Sequence, residues 1–123
     1  MSSREVDFSL LAKAGYPIQQ HEESEIIFSD GDDGDYMFLV RAGSVDIIRN
    51  GAVVETVGPG GIFGEMALID GSPRSATAKV SEPCELVAIP EKGFLFMVHE
   101  TPYFALDVMR TLSERLRVMN QLV

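Results

Sequence analysis

The run SVDIIRNGAVVETV, residues 44–57, constrains the fold more than any other part of this sequence. Two stretches rich in valine and isoleucine meet at Asn50-Gly51, the dipeptide that best tolerates the two left-handed residues of a type I′ turn. The flanking strands must therefore pair antiparallel. The same texture extends over about residues 24–89. EIIF and YMFLV read as strands, SDGDDGD between them has the glycines and aspartates of a turn, and CELVAI closes the series. Short strands at this spacing build a sandwich, barrel or roll rather than parallel strand–helix units.

After Pro90 the period lengthens from two to between three and four. EKGFLFMVHETP predicts a short helix ending before Pro102, and Thr101-Pro102 predicts a second helix start with the proline in the first turn. Leu106, Met109, Leu112, Leu116, Met119 and Val123 then recur at spacings of three and four, the apolar stripe of an amphipathic helix over about residues 102–122. Near the start, DFSLLAKAG predicts a short helix closed by Gly15. The fold expected is mainly β with flanking helices: a short N-terminal helix, an antiparallel β-roll, and C-terminal helices of which the last is long. A chain of 123 residues suits a single domain. It divides into an N-terminal segment over 1–23, the roll over 24–90 and the helices over 91–123.

Charge and residue usage narrow the function. Nineteen acidic residues against ten basic ones give a net charge of −9, which repels a phosphate backbone and excludes nucleic acid as a partner. No apolar run approaches the roughly 20 residues that span a bilayer, and MSSREVDF lacks the apolar core of a secretory signal, so a cytoplasmic protein without membrane insertion is expected. Cys84 is the only cysteine, which rules out an internal disulfide, a multi-cysteine zinc site and a cysteine-ligated cluster within one chain. His21 and His99 stand apart without ligand spacing, so no metal is expected. The aspartates of SDGDDGD do not make a calcium loop, which would need an acidic residue or asparagine at Gly34 and a glutamate at Arg41. Gly58, Gly60 and Gly64 miss the dinucleotide fingerprint by one residue, and no lysine follows to make a nucleoside-triphosphate loop. No nucleophile has a base, and no two carboxylates pair across a cleft; an enzyme is not expected.

The chemistry concentrates in FGEMALIDGSPRSATAKV, residues 63–80. Strand alternation places Arg74 on the same face as Ala76, Ala78 and Val80, so its guanidinium points inward and needs an anion. Gly61 and Gly64 let backbone approach closely. Glu65 opens about one helical turn, whose free N–H groups suit an anion, before Gly71 and Pro73 end it. Arg74 follows Glu65 by nine residues and can offer a fork to two oxygens of a phosphate. A glutamate beside that phosphate is repelled unless it faces away, toward neutral hydroxyls such as those of a ribose. Taken singly, either charge would be an ordinary solvated surface residue.

The order F-G-E-x-A-L followed by P-R-S-A-T, residues 63–77, resembles the phosphate-binding cassette of cyclic nucleotide-binding domains. That family is shared by the regulatory subunits of cyclic-nucleotide-dependent kinases, catabolite-activator-type transcription factors and gated ion channels. The resemblance runs over about residues 22–119, with family-like glycines at 31, 34 and 43, for which turn geometry is the expected role. It implies a double-stranded β-helix, or jelly-roll-like, form of the roll, with the cassette over 63–78. It also implies that Glu65 binds the ribose 2′-hydroxyl and that Arg74 binds the exocyclic phosphate oxygens. The backbone N–H groups of Met66 and Ala67 would complete the cradle that Gly64 admits. Ser75 holds the position whose hydroxyl touches phosphate or the guanine edge in some members, and it leaves cAMP against cGMP open.

By the same resemblance the last helix acts as a lid, with Leu112, Leu116 and Met119 as candidate apolar lid residues and Arg115 as a candidate polar cap over the purine. A stripe packed permanently on the roll is the other reading of those residues. A seam of Met109, Leu112, Leu116, Met119 and Val123 that pairs two copies of the chain fits the spacing as well. No output domain is read after this helix, so the expected effector is a separate protein, a second copy, or a further part of a longer parent chain. The expected function is a stand-alone receptor for a cyclic nucleoside monophosphate, cAMP before cGMP, with no other cofactor. The alternative is an interaction or scaffold module on the same fold that binds no nucleotide.

Overall fold

The computed structural model describes residues 6–121, the side chains of residues 119–121 excepted. The chain runs through α1 (Phe8–Lys13), β1 (Gln19–His21), β2 (Ile26–Phe28), β3 (Met37–Arg49), β4 (Ala52–Val57), β5 (Ile62–Phe63), α2 (Glu65–Asp70), β6 (Thr77–Ile89), α3 (Glu91–Glu100) and α4 (Tyr103–Gln121). All strand pairs are antiparallel, in the order β1-β6-β3-β4, with β2 also on β6 and β5 also on β3.

Two 13-residue strands, β3 and β6, form the spine. The sequence reads as two strands where β3 is one, because Gly43 interrupts the apolar pattern. Gly43 is left-handed, with φ 78, and the β3–β6 register shifts on either side of it. That bend lets one end of β3 pair with β5 and the other with β4. Strand β1 carries no apolar signal; its Gln-Gln-His backbone is held by pairing with β6, Gln19 to Leu86 and His21 to Cys84. At the β3–β4 turn Asn50 and Gly51 have φ 52 and 78, the type I′ geometry expected. A register shift one step from the turn then sets Ile47 opposite Glu55 instead of Val54.

Two apolar clusters hold this frame. Inside the roll, Phe38, Val40, Val45, Phe63, Val80 and Leu86 pack with Cys84, whose thiol pKa burial raises. Beneath the helices, Leu11, Met37, Leu39, Ile89, Met97, Phe104 and Val108 join α1, α3 and α4 to the sheet. Asp7 caps α1, accepting from the Leu10 N–H at 3.0 Å, and left-handed Gly15 follows its end. Among the described residues no helix is long and apolar enough to cross a membrane, and no cluster of three or more His, Cys, Asp or Glu could hold a metal ion.

Two glycines depart from the expected turn role: Gly43, which bends β3 where a Cβ would stand 2.2 Å from the Pro83 carbonyl oxygen, and Gly34. Gly34 is not left-handed. It is a close-approach position, where a Cβ would stand 2.4 Å from Ala67 Cβ and 2.9 Å from Arg74 Nε. Gly31, at φ 92 with open space around it, is the plain turn glycine.

Candidate ligand-binding site

Strand β5 delivers the chain to Gly64, which turns left-handed at φ 77 and starts α2; Gly71, at φ 72, ends it. A Cβ on Gly64 would meet Arg74 Nη1 at 2.7 Å, so the approach of backbone to guanidinium requires glycine. No side chain caps α2. The N–H groups of Glu65, Met66 and Ala67, at the start of a helix, have no intrahelical acceptor.

Arg74 is only 6% exposed and shares its inward face with buried Ala76, Ala78 and Val80, as alternation requires. Its Nη1 donates to the Gly64 carbonyl at 2.8 Å and its Nη2 to the Tyr36 carbonyl at 2.6 Å. The guanidinium lies 4.0 Å over the Phe28 ring. Its Nε is buried without an acceptor. Burial pushes the Arg74 pKa down, against the pull of Asp35, Glu65 and Asp32, but a guanidinium stays charged at any physiological pH. The arrangement is a preorganised cation whose donors are incompletely used.

Glu65 is 2% exposed, and its partner comes from the far end of the chain. Arg115 of α4 donates through Nη1 to Glu65 Oε1 at 2.5 Å, through Nε and Nη2 to both oxygens of Glu55 at 3.0 Å, and through Nη2 to the Ile62 carbonyl at 2.8 Å. Burial alone would lower the Arg115 pKa; the Glu55 hydrogen bond and the Glu65 charge outweigh it and raise the pKa. This three-residue network ties α4, β4 and α2 together.

These groups line a cavity of about 360 Å³. Gly64, Glu65, Met66, Ala67, Arg74 and Ser75 all border it, joined by Ile47, Arg49, Val54 and Glu55 from the hairpin. A larger groove of about 570 Å³ lies between the Tyr16 segment and Tyr36. It borders the His21–Glu25 pair but holds none of the buried charges, so the smaller cavity is the candidate site.

Helix α4 presents Thr111, Glu114, Arg115 and Val118 to the cavity. Two candidate lid residues lie elsewhere: Leu112 packs against the core beneath the helices, and Leu116 is 57% exposed and off the cavity. The reason is helical phase, since positions 111, 115 and 118 share a face and each neighbour is turned about 100° from it. Arg115, expected over a purine, is bonded to the Glu55 and Glu65 carboxylates of the cavity lining. The Met119 side chain and Val123 lie outside the described residues. Of the proposed pairing seam, Met109 is exposed while Leu112 is turned inward.

Sequence reasoning missed Glu55 and Arg49. Arg49 was detectable by the alternation that flagged Arg74, because it ends the inward face of Val45 and Ile47. Glu55 was not, because an unshifted two-residue hairpin puts Val54 opposite Ile47.

Comparison with known proteins places the chain in a family. The family model described as Cyclic nucleotide-binding domain matches residues 18–101. The cyclic AMP receptor protein of Thermus thermophilus is 34% identical over 122 residues, covering 95% of this chain and 55% of its own. A cAMP-dependent protein kinase regulatory subunit of Yarrowia lipolytica is 40% identical over 73 residues, 59% of this chain and 20% of the relative. The crystal structure of the Thermus thermophilus catabolite activator protein superposes with a TM-score of 0.78 at 31% identity, over 92% of this chain and 55% of that one. The chain thus spans about half the length of one curated relative and a fifth of the other.

Proposed function

The chain belongs to the cyclic nucleotide-binding domain family, and from that premise we propose that it binds a cyclic nucleoside monophosphate and passes occupancy through α4 to a partner protein. cAMP comes before cGMP as the ligand, because both curated relatives named above carry cAMP in their descriptions. The observation that carries this reading is the buried Arg74 guanidinium, set beside the uncapped start of α2 with its Nε unpartnered.

The exocyclic phosphate oxygens accept from Arg74 and from the N–H groups of Met66 and Ala67. The ribose 2′-hydroxyl donates to Glu65, whose other oxygen Arg115 holds. The base lies outward, between the hairpin and the α4 face of Thr111, Glu114 and Val118. A hydroxyl that engages Glu65 alters a carboxylate that joins α2 to α4. Occupancy is transmitted only as far as the two α4 arrangements differ in ligand affinity. Leu106, Met109 and Leu116 are among the exposed apolar positions of α4 open to an effector or a second copy of the chain. No step of this account requires catalysis.

Thermal melting of nucleotide-stripped protein tests the reading. Ligand at about a hundredfold its Kd adds about 2.7 kcal/mol, a rise of several degrees in Tm. An unmoved Tm at millimolar cAMP and cGMP would instead favour the nucleotide-free interaction module.

A further inference from the structure

Arg49 is a second inward arginine in the same cavity. The β3–β6 register pairs Ile47 with Ala78 and Ile48 with Thr77. One step further sets Arg49 beside Ala76, on the face that carries Arg74. Its Nη2 donates to Ser75 Oγ at 3.4 Å, the weak limit of a hydrogen bond, and its Nε is buried with no acceptor. Among the described residues it has no carboxylate in ion-pair range. A half-buried guanidinium in that condition points to a ligand that supplies acceptors.

Position in the cavity indicates which acceptors. Arg74 and the start of α2 hold the phosphate end, and Glu65 follows as the ribose ligand. Arg49 ends β3 on the hairpin, where Ile47 and Val54 also border the cavity, and reaches across to Ser75 beside Arg74. Apolar walls there suit a flat base, and the guanidinium fork meets its edge. Guanine offers two acceptors on one edge, O6 and N7, and arginine is their commonest bidentate partner. Adenine offers N7 but sets an amino donor against the second arm of the fork.

Resting on the receptor reading above, we infer that Arg49 is the specificity-determining residue through which this pocket takes a guanine base, donating to O6 and N7. The apolar walls still accept adenine; Arg49 narrows the difference between the two nucleotides.

The test is calorimetric titration of wild type, Arg49→Ala and Arg49→Lys with cAMP, cGMP and cyclic inosine monophosphate, which keeps O6 and N7 but lacks the guanine amino group. Arg49→Ala is expected to weaken cGMP and the inosine analogue by roughly 5- to 100-fold while cAMP changes by less than about twofold. Arg49→Lys, which keeps the charge and loses the fork, should show the same selectivity, and its melting curve checks folding. Equal losses for all three ligands would place Arg49 on the phosphate or ribose and overturn the inference, as would no loss for any. Failure of wild type to bind any of the three would overturn the receptor reading itself, an outcome distinct from either.

Discussion

Arg115 on α4 and Glu65 at the start of α2 stand fifty residues apart in sequence and meet at 2.5 Å in the lining of the cavity. Glu65 is almost fully buried, so the contact neutralises a carboxylate that would otherwise be costly where it sits. Arg115→Ala strands that carboxylate and loosens Glu55. Stability should fall by on the order of 3 kcal/mol, lowering Tm by roughly 10 °C. Combining it with Glu65→Gln should recover much of the loss. A fall in the single variant that the double variant does not relieve would show that Arg115 acts by packing alone.

Arg74→Lys should weaken cyclic nucleotide binding by roughly ten- to a hundredfold, because a lysine cannot span two carbonyls and an anion together. The folded state should also lose about 1 to 3 kcal/mol, since the Gly64 and Tyr36 carbonyls surrender a buried donor. Calorimetry and urea unfolding separate the two effects. Unchanged affinity in a folded variant would remove Arg74 from the phosphate.

Glu65→Gln should weaken cAMP binding by a smaller factor than the Arg74 change, and should matter little for 2′-deoxy-cAMP. Equal losses for the two ligands would exclude Glu65 as the ribose partner.

Gly34→Ala and Gly31→Ala should differ in kind. At Gly34 the added methyl presses on Ala67 and Arg74, which costs about 1 to 3 kcal/mol and should raise the ligand Kd roughly tenfold by displacing the guanidinium. At Gly31 there is open space and only left-handed strain, about 1 kcal/mol of stability with binding unaffected. Indistinguishable variants in the binding assay would show that Gly34 does not shape the site.

Much of this was legible before the structure. Alternation alone put Arg74 on the inner face with Ala76, Ala78 and Val80, and Asn50-Gly51 located the hairpin to the residue. What stayed hidden depended on register and phase rather than composition. The shift beside Ile47 decides that Glu55, and not Val54, stands opposite it, and nothing local in the sequence encodes that slip. The rotation of α4 about its axis decides that Arg115 faces the cavity while Leu112 enters the core. An apolar stripe shows that a helix has a buried side, but the width of the stripe leaves its orientation free by about one residue. Strand β1 is invisible for a different reason, since it pairs with β6 through its backbone while Gln19, Gln20 and His21 offer no apolar alternation to read.

The central claim is that the cavity bounded by Glu65 and Arg74 receives a cyclic nucleoside monophosphate. The most direct measurement is calorimetric titration of purified, nucleotide-stripped protein with cAMP and separately with cGMP, each repeated on Arg74→Lys. The account predicts saturable binding of at least one nucleotide at micromolar affinity or tighter in the wild type, lost or severely weakened in the variant. No detectable heat with either nucleotide in the wild type, or equal binding in the variant, would contradict it.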